Sequence, residues 1–167
     1  YALAMRRGQA YDLGIRTIAD LARHSASLSI GGDYEFFERP EWEAIRRLYR
    51  LNFDREVSFD PSFMYQAVAQ GEVDVISAFT TDGRIDSYDL VLLEDPLHAI
   101  PPYDALLLLS PKASKREEVI SALAPLVGTI SARLMRSANA LVDRDIDKRP
   151  PSAAAAELRL MLLDRHE

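Results

Sequence analysis

The sequence predicts an α/β fold, on two observations. Short apolar runs of strand character alternate with amphipathic helical stretches as far as Leu93, and from Ser114 onward the pattern is helical alone. Glycine and proline punctuate most of the boundaries. This predicts one α/β lobe with a parallel-rich sheet, followed by a helical C-terminal part with few strands of its own.

Tyr1-Ala-Leu-Ala-Met-Arg6 alternates like a strand interior, with no turn residue ahead of it, so an earlier stretch of chain is expected to precede it. Arg7 to Gly14 reads as a short helix or turn that ends at Gly14. Thr17 and Asp20 have the spacing of a capping box, with Ile18, Leu21 and Ala22 on one face behind it. Leu28-Ser-Ile30 reads as a strand stopped by Gly31-Gly32. A helix over Pro40–Leu51 carries Trp42, Ile45, Leu48 and Tyr49 at helical spacing. Glu56–Phe59 reads as a strand, and Asp60-Pro61 opens a helix through Gln70 that Gly71 closes. Val73–Phe79 and Leu90–Leu93 are strands, separated by the polar turn Thr80–Arg84. Leu97–Ile100, Pro101-Pro102 and Ala105–Leu109 form an extended passage suited to a crossing between lobes, its leucines suited to a buried strand. Helices are expected over Lys115–Leu126, from Thr129 to about Asp143, and from Pro151 or Ser152 to Arg165.

Composition narrows the function. The chain has 167 residues, 48% apolar and 28% charged, an ordinary globular balance. Its net charge of −6 argues against nucleic acid, which calls for concentrated Lys and Arg. With no cysteine, thiolate catalysis, disulfides and Cys-based metal sites are excluded. His24, His98 and His166 lie far apart in no metal-ligand spacing and read as structural or surface residues. No nucleophile elbow, Walker loop or G-x-G-x-x-G cradle occurs, so catalysis has no positive signal and no cofactor is implied.

The informative residues fall in loops at strand ends, where open α/β sheets place ligands. They are Tyr1, the segment Glu35–Pro40, the segment Phe79–Arg84 and Pro101–Asp104. By spacing alone aromatics read first as core. The second reading is an aromatic box beside an arginine. A quaternary ammonium donates no N–H bond, but aromatic faces shed water against its methyls and attract its charge. An arginine fork suits the carboxylate of such a solute.

At these residues a resemblance enters. Tyr1–Arg6, Glu35-Phe-Phe-Glu-Arg39, Asp60-Pro-Ser-Phe-Met-Tyr-Gln-Ala67, Gly71–Ile85, Tyr88–Asp95 and Pro101-Pro-Tyr-Asp-Ala105 occur in an order that resembles the substrate-binding proteins of osmoprotectant ABC importers, of the glycine betaine/choline/carnitine type. The resemblance is closest up to about Ala105. It implies the type II periplasmic binding protein fold, two α/β lobes that close on ligand by hinge motion. Residues 3–98 would be the second lobe, and 99–167 a crossing strand and C-terminal helices of an incomplete first lobe whose N-terminal part is absent. It implies a periplasmic or extracytoplasmic, non-enzymatic protein, membrane-associated through a permease and its ATPase. The solute would be a trimethylammonium compound such as betaine, choline, carnitine or ergothioneine. Position by position, Tyr1, Phe79 and Tyr103 correspond to cage aromatics and Arg39 to the carboxylate-holding arginine, with Thr80, Thr81 and Asp82 in the same ligand-facing turn. Two departures stand out: Glu41-Trp42 follows Arg39-Pro40 where the family commonly has Asp-Gly, and Phe79 stands where tyrosine is frequent. Three alternatives stay open: a ligand-sensing regulatory domain of the same fold, an enzyme acting on a small amine or acid, and a fragment that binds nothing by itself.

Overall fold

The structure, a computed structural model, describes residues 1–144 and 146–163. His166 and the end of the last expected helix lie outside the described residues. Five strands form one sheet in the order β3-β2-β4-β1-β5: β1 (Ala2–Arg6), β2 (Ser29–Asp33), β3 (Arg55–Phe59), β4 (Val75–Ala78) and β5 (Leu90–Leu92). β2 pairs parallel with β3 and β4, while β1 pairs antiparallel with both β4 and β5. Four strands therefore run one way and β1 runs against them. Strand–helix alternation led to an expectation of parallel strands, and it holds for β2 to β5. β1 escapes it because its neighbours are not its successor in sequence, and an apolar run has the same period of two in either direction.

Side chains alternate across β1 and so feed two cores. Leu3 and Met5 pack with Ile18, Leu21, Ile30, Trp42 and Ile45 beneath α1 (Arg7–Leu13), α2 (Ile18–Ala22) and α3 (Pro40–Tyr49). Ala4 packs on the other face with Met64, Tyr65, Val68, Ile76 and Leu90 beneath α4 (Pro61–Gln70) and α5 (Arg84–Ser87). The local signals behave as their chemistry dictates. Gly14 and Gly71 close α1 and α4 in the left-handed conformation, the Thr17–Asp20 capping box is formed, and Asp60 caps α4 ahead of Pro61. Four hydrogen bonds to the Asp20 carboxylate, from Thr17 first, hold its pKa far below the usual carboxylate range.

Two expectations are corrected. Gly31 and Gly32 do not stop β2 but lie inside it. A Cβ on Gly31 would meet the Phe59 ring at 2.8 Å, and one on Gly32 the Phe36 ring at 2.7 Å, so their missing side chains admit aromatic rings onto the sheet. The polar turn after Phe79 is formed over residues 80–83 and leads into the short helix α5 (Arg84–Ser87), whose first residue Arg84 donates its backbone N–H to the Asp82 carboxylate at 2.9 Å. Ala105–Leu109 is neither strand nor buried: Leu106 is 77% and Leu108 88% exposed. No strand among the described residues offers that run a ladder, so it has nowhere to bury itself.

The helical remainder comprises α6 (Glu117–Leu123), α7 (Ala132–Asp143) and α8 (Pro151–Leu163). α6 is shorter than expected and passes into a tight turn at Ala124–Leu126, where Pro125 lacks the N–H to continue it. α7, capped by Ser131, packs on α8 and on α5. Its Ala140 lies so close to Gly83 that a Cβ there would approach the Ala140 backbone nitrogen to 2.4 Å.

Candidate functional site

The carboxyl ends of β2, β4 and β5 and the beginning of β1 meet at one edge of the sheet. The register explains the first contact there. Ala2 faces Ala78 across the antiparallel pair, so the residues one step outward, Tyr1 and Phe79, also face each other. Their ring centroids are 4.7 Å apart at 32°. The segment after β2 supplies a ring beneath them: Phe36, fully buried over Gly32, lies 5.8 Å from Tyr1. Tyr103 meets the Tyr1 ring edge-on at 5.6 Å. Phe79 and Tyr103 remain about half exposed.

Arg39 is the N-cap of α3, and Pro40 behind it holds its backbone extended. Its guanidinium carbon is 5.6 Å from the Tyr1 ring centroid. One terminal nitrogen pairs with the Glu35 carboxylate at 2.5 Å, whereas Nε is buried without a partner among the described residues. Glu35 is largely exposed, so this pair is of the weak surface kind. Glu41, only 8% exposed, accepts a hydrogen bond from the Tyr103 hydroxyl through Oε1, and its Oε2 has no partner among the described residues. The bond from Tyr103 is the main reason the Glu41 pKa lies below the ordinary value, and the same bond raises that of Tyr103. The Tyr1 phenol is raised as well, by desolvation first and then by the nearby Asp33 carboxylate.

Beside the rings lies an open cleft of about 330 Å³, lined by Tyr1, Thr80, Asp95, His98, Ile100 and Tyr103 among others. Its far wall is fixed by Tyr49. The Tyr49 hydroxyl donates to Asp95 and accepts the Leu97 backbone N–H at 2.8 Å, while the other Asp95 oxygen accepts from Ile100 N–H at 2.8 Å. These bonds position the arm that ends in Tyr103.

The structure thus brings together Tyr1, Phe79, Tyr103 and Arg39, with Thr80 on the adjoining wall. Thr81 does not line the cleft; its carbonyl accepts from Asn139 of α7 at 2.8 Å, as the Thr80 carbonyl does from Arg136 at 2.8 Å. Asp82 is bound to Arg84 at 2.7 Å and serves the local fold. The sequence reading did not single out Phe36, Asp95 or Tyr49 for the site, since each sits on an apolar pattern or in a turn with no marker of its own. Glu41 stood out only as a departure. Among the described residues no cluster of three metal-ligating side chains occurs, and no helix is long and apolar enough to cross a membrane.

Aromatic rings and a cation gathered at the carboxyl ends of the strands mark a candidate solute-binding lobe. Residues 1–158 match the family model for the substrate-binding domain of the ABC-type glycine betaine transport system, and the chain belongs to that family of solute-binding domains. It is 29% identical over 160 residues to a carnitine transport binding protein of Listeria monocytogenes, covering 94% of this chain and 51% of that protein. A glycine-betaine-binding protein of Pseudomonas aeruginosa is 31% identical over 170 residues, covering 94% and 54%. An ergothioneine transport permease and binding protein of Helicobacter pylori is 28% identical over 159 residues, covering 94% and 28%. A crystal structure of a glycine betaine/carnitine/choline ABC transporter superposes with a TM-score of 0.84 at 27% identity, over 99% of this chain and 59% of that one. The chain spans about half the length, or less, of the curated relatives it matches.

Proposed function

We propose that this chain captures a quaternary-ammonium solute for an ABC importer, between an aromatic cage and an arginine, and delivers it on the outer side of the membrane to a permease driven by an ATPase. The observation that carries this reading is the convergence of Phe79 and Tyr103 on Tyr1, with ring centroids 4.7 and 5.6 Å from it, and the Arg39 guanidinium against the same ring. Each ring facing a methylated cation contributes about 0.5–2 kcal/mol, according to how fully water is excluded. Thr80 would supply a polar edge, and Thr81 would act through the shape of the turn. Arg39 would exchange its exposed partner Glu35 for the ligand carboxylate, gaining a charge-assisted bond in a drier place. Family names and relatives support this solute class, and the ring geometry supports the cage. Residues 3–98 would be the second lobe of a two-lobed protein. Residues 99–167 would form the crossing segment and the helices of the first, an assignment that the solvent-facing leucines at 106–109 support.

Calorimetry on the intact protein with betaine, choline, carnitine, proline and a simple sugar tests the reading. Only the methylated ammonium compounds should bind. Arg39→Ala should weaken betaine about tenfold or more while changing choline little, since choline has no carboxylate. Equal losses for both would remove Arg39 from the carboxylate role, and selective sugar or proline binding would overturn the cage.

A further inference from the structure

The turn after β4 carries Phe79, whose ring lies against Tyr1, and Thr80, which lines the cleft. It is held from behind by α7. The Thr80 carbonyl accepts from Nη1 of Arg136 at 2.8 Å, and the Thr81 carbonyl accepts from Nδ2 of Asn139 at 2.8 Å. The two donors are three residues apart on α7 and so share one face of it. The Arg136 side chain is only 19% exposed, and its Nε lies 3.6 Å from the Asp86 carboxylate of α5. Next along α7, Ala140 presses on Gly83 and leaves no room for a Cβ. From the sheet side the hold is looser, since the Phe79 N–H reaches the Tyr65 hydroxyl only at 3.4 Å.

We propose that Arg136 and Asn139 are positioning residues for solute binding: from the C-terminal helices they fix the backbone of the turn that presents Phe79 and Thr80 to the cleft, so that docking of α7 and capture of the solute strengthen each other. This rests on the quaternary-ammonium reading of the same site. Three features support it. Each bond fixes one rigid peptide plane, and the two planes, Thr80–Thr81 and Thr81–Asp82, are consecutive, which leaves the turn little freedom. A cage gains most from rings already in place, because a ring ordered only on binding gives back part of its contact energy. Neither donor lines the cleft, so their influence on the solute passes through the turn. Such coupling is reciprocal: a solute that steadies the turn also holds α7.

Tetramethylammonium and choline are the probes, titrated by calorimetry into the intact protein under conditions where circular dichroism shows each variant folded. There a loss of global stability leaves Kd untouched. Asn139→Leu nearly keeps the side-chain size and changes no charge, and it should weaken both probes about fivefold or more. Arg136→Met should weaken them as well. Deleting a positive charge by itself favours a cation, so that loss would have no electrostatic origin. In the wild type, saturating choline should slow hydrogen exchange of the α7 amides about fivefold or more, and the slowing should be lost in Asn139→Leu. Affinities within about twofold of the wild type in both variants overturn the positioning role and leave the bonds to stability alone. Choline that leaves α7 exchange in the wild type unmoved overturns it too, and this readout needs no variant to fold. In both of those results the methylated compounds still bind and the cage stands. If neither probe binds the wild-type protein, the quaternary-ammonium reading itself falls and this inference with it.

Discussion

Val75, Ile76 and Ala78 of β4 are sealed between helices on both faces of the sheet, whereas Leu106, Leu107 and Leu108, an equally apolar run, lie in solvent. Hydropathy does not separate the two. What separates them is partners: β4 has a strand on each side and a helical layer above and below, and the leucines have neither among the described residues. A strand needs its backbone groups paired before burial of its side chains becomes favourable. The site sits at the junction of these two kinds of region. Its rings from Tyr1, Phe36 and Phe79 belong to the packed lobe, and Tyr103 stands on the first residues beyond it.

The difference is open to measurement, beginning with the packed side. Phe36 is fully buried and touches Tyr1, Phe37 and Trp42. Phe36→Ala should cost about 3–5 kcal/mol in urea unfolding, the range for deleting a buried ring, and should also remove the floor under Tyr1. A loss below about 1 kcal/mol would mean that the packed lobe is not packed there.

Gly83→Ala probes where the C-terminal helices meet the lobe. Its backbone is ordinary, with φ −64°, so the effect comes from space alone. The new methyl would collide with Ala140, and overpacking of this kind costs about 1–3 kcal/mol. Hydrogen exchange should show α7 losing protection, with the Arg136 and Asn139 bonds to Thr80 and Thr81, while β1 and β4 stay protected. Loss of protection throughout would place α7 within the cooperative unit of the sheet.

Tyr49→Phe acts on the arm that carries Tyr103. It removes a donor to Asp95 and an acceptor for Leu97 N–H, at about 1–2 kcal/mol. Burial first, and the bond to Asp95 second, push the Tyr49 pKa up to about 12. A phenol whose folded pKa lies above its unfolded value near 10 stabilises the fold fully below pH 10. That contribution is lost as pH rises from 10 toward 12. The wild type should therefore lose stability across that window, and Tyr49→Phe should lose less of it. Identical alkaline slopes would show that Tyr49 does not hold the arm.

The same contrast explains what could be read from sequence. Gly14, Gly71, the Thr17–Asp20 box and Asp60-Pro61 marked their helix ends because each acts within a few residues of chain. Gly31 and Gly32 misled for the opposite reason. They serve Phe59 and Phe36, rings that reach them only in the folded sheet, so their signal is indistinguishable from a turn. The direction of β1 was hidden because its partners, β4 and β5, come about 70 and 85 residues later. The aromatic and cationic members of the site were legible as loop residues at strand ends, and only the resemblance gave each of them a role. Glu41 looked like a mere departure until its buried and half-satisfied carboxylate was seen beside Tyr103.

The smallest effect is the sharpest control. Leu108→Ser removes a large apolar side chain that is 88% exposed, and in the chain of 167 residues it should change unfolding stability by less than about 0.5 kcal/mol. The residue type deleted would cost about 2–5 kcal/mol in a core, so the gap between the two figures measures how far burial, and not apolar character, sets the energy. Should Leu108→Ser cost as much as Phe36→Ala, the run would have to be covered in solution, by self-association or by rearrangement of α6 to α8. Dilution separates these: a loss that shrinks as concentration falls is association, since only contacts between copies depend on concentration. A loss independent of concentration would place the leucines inside a core of this chain's own making, and the contrast drawn between the two regions would not survive it.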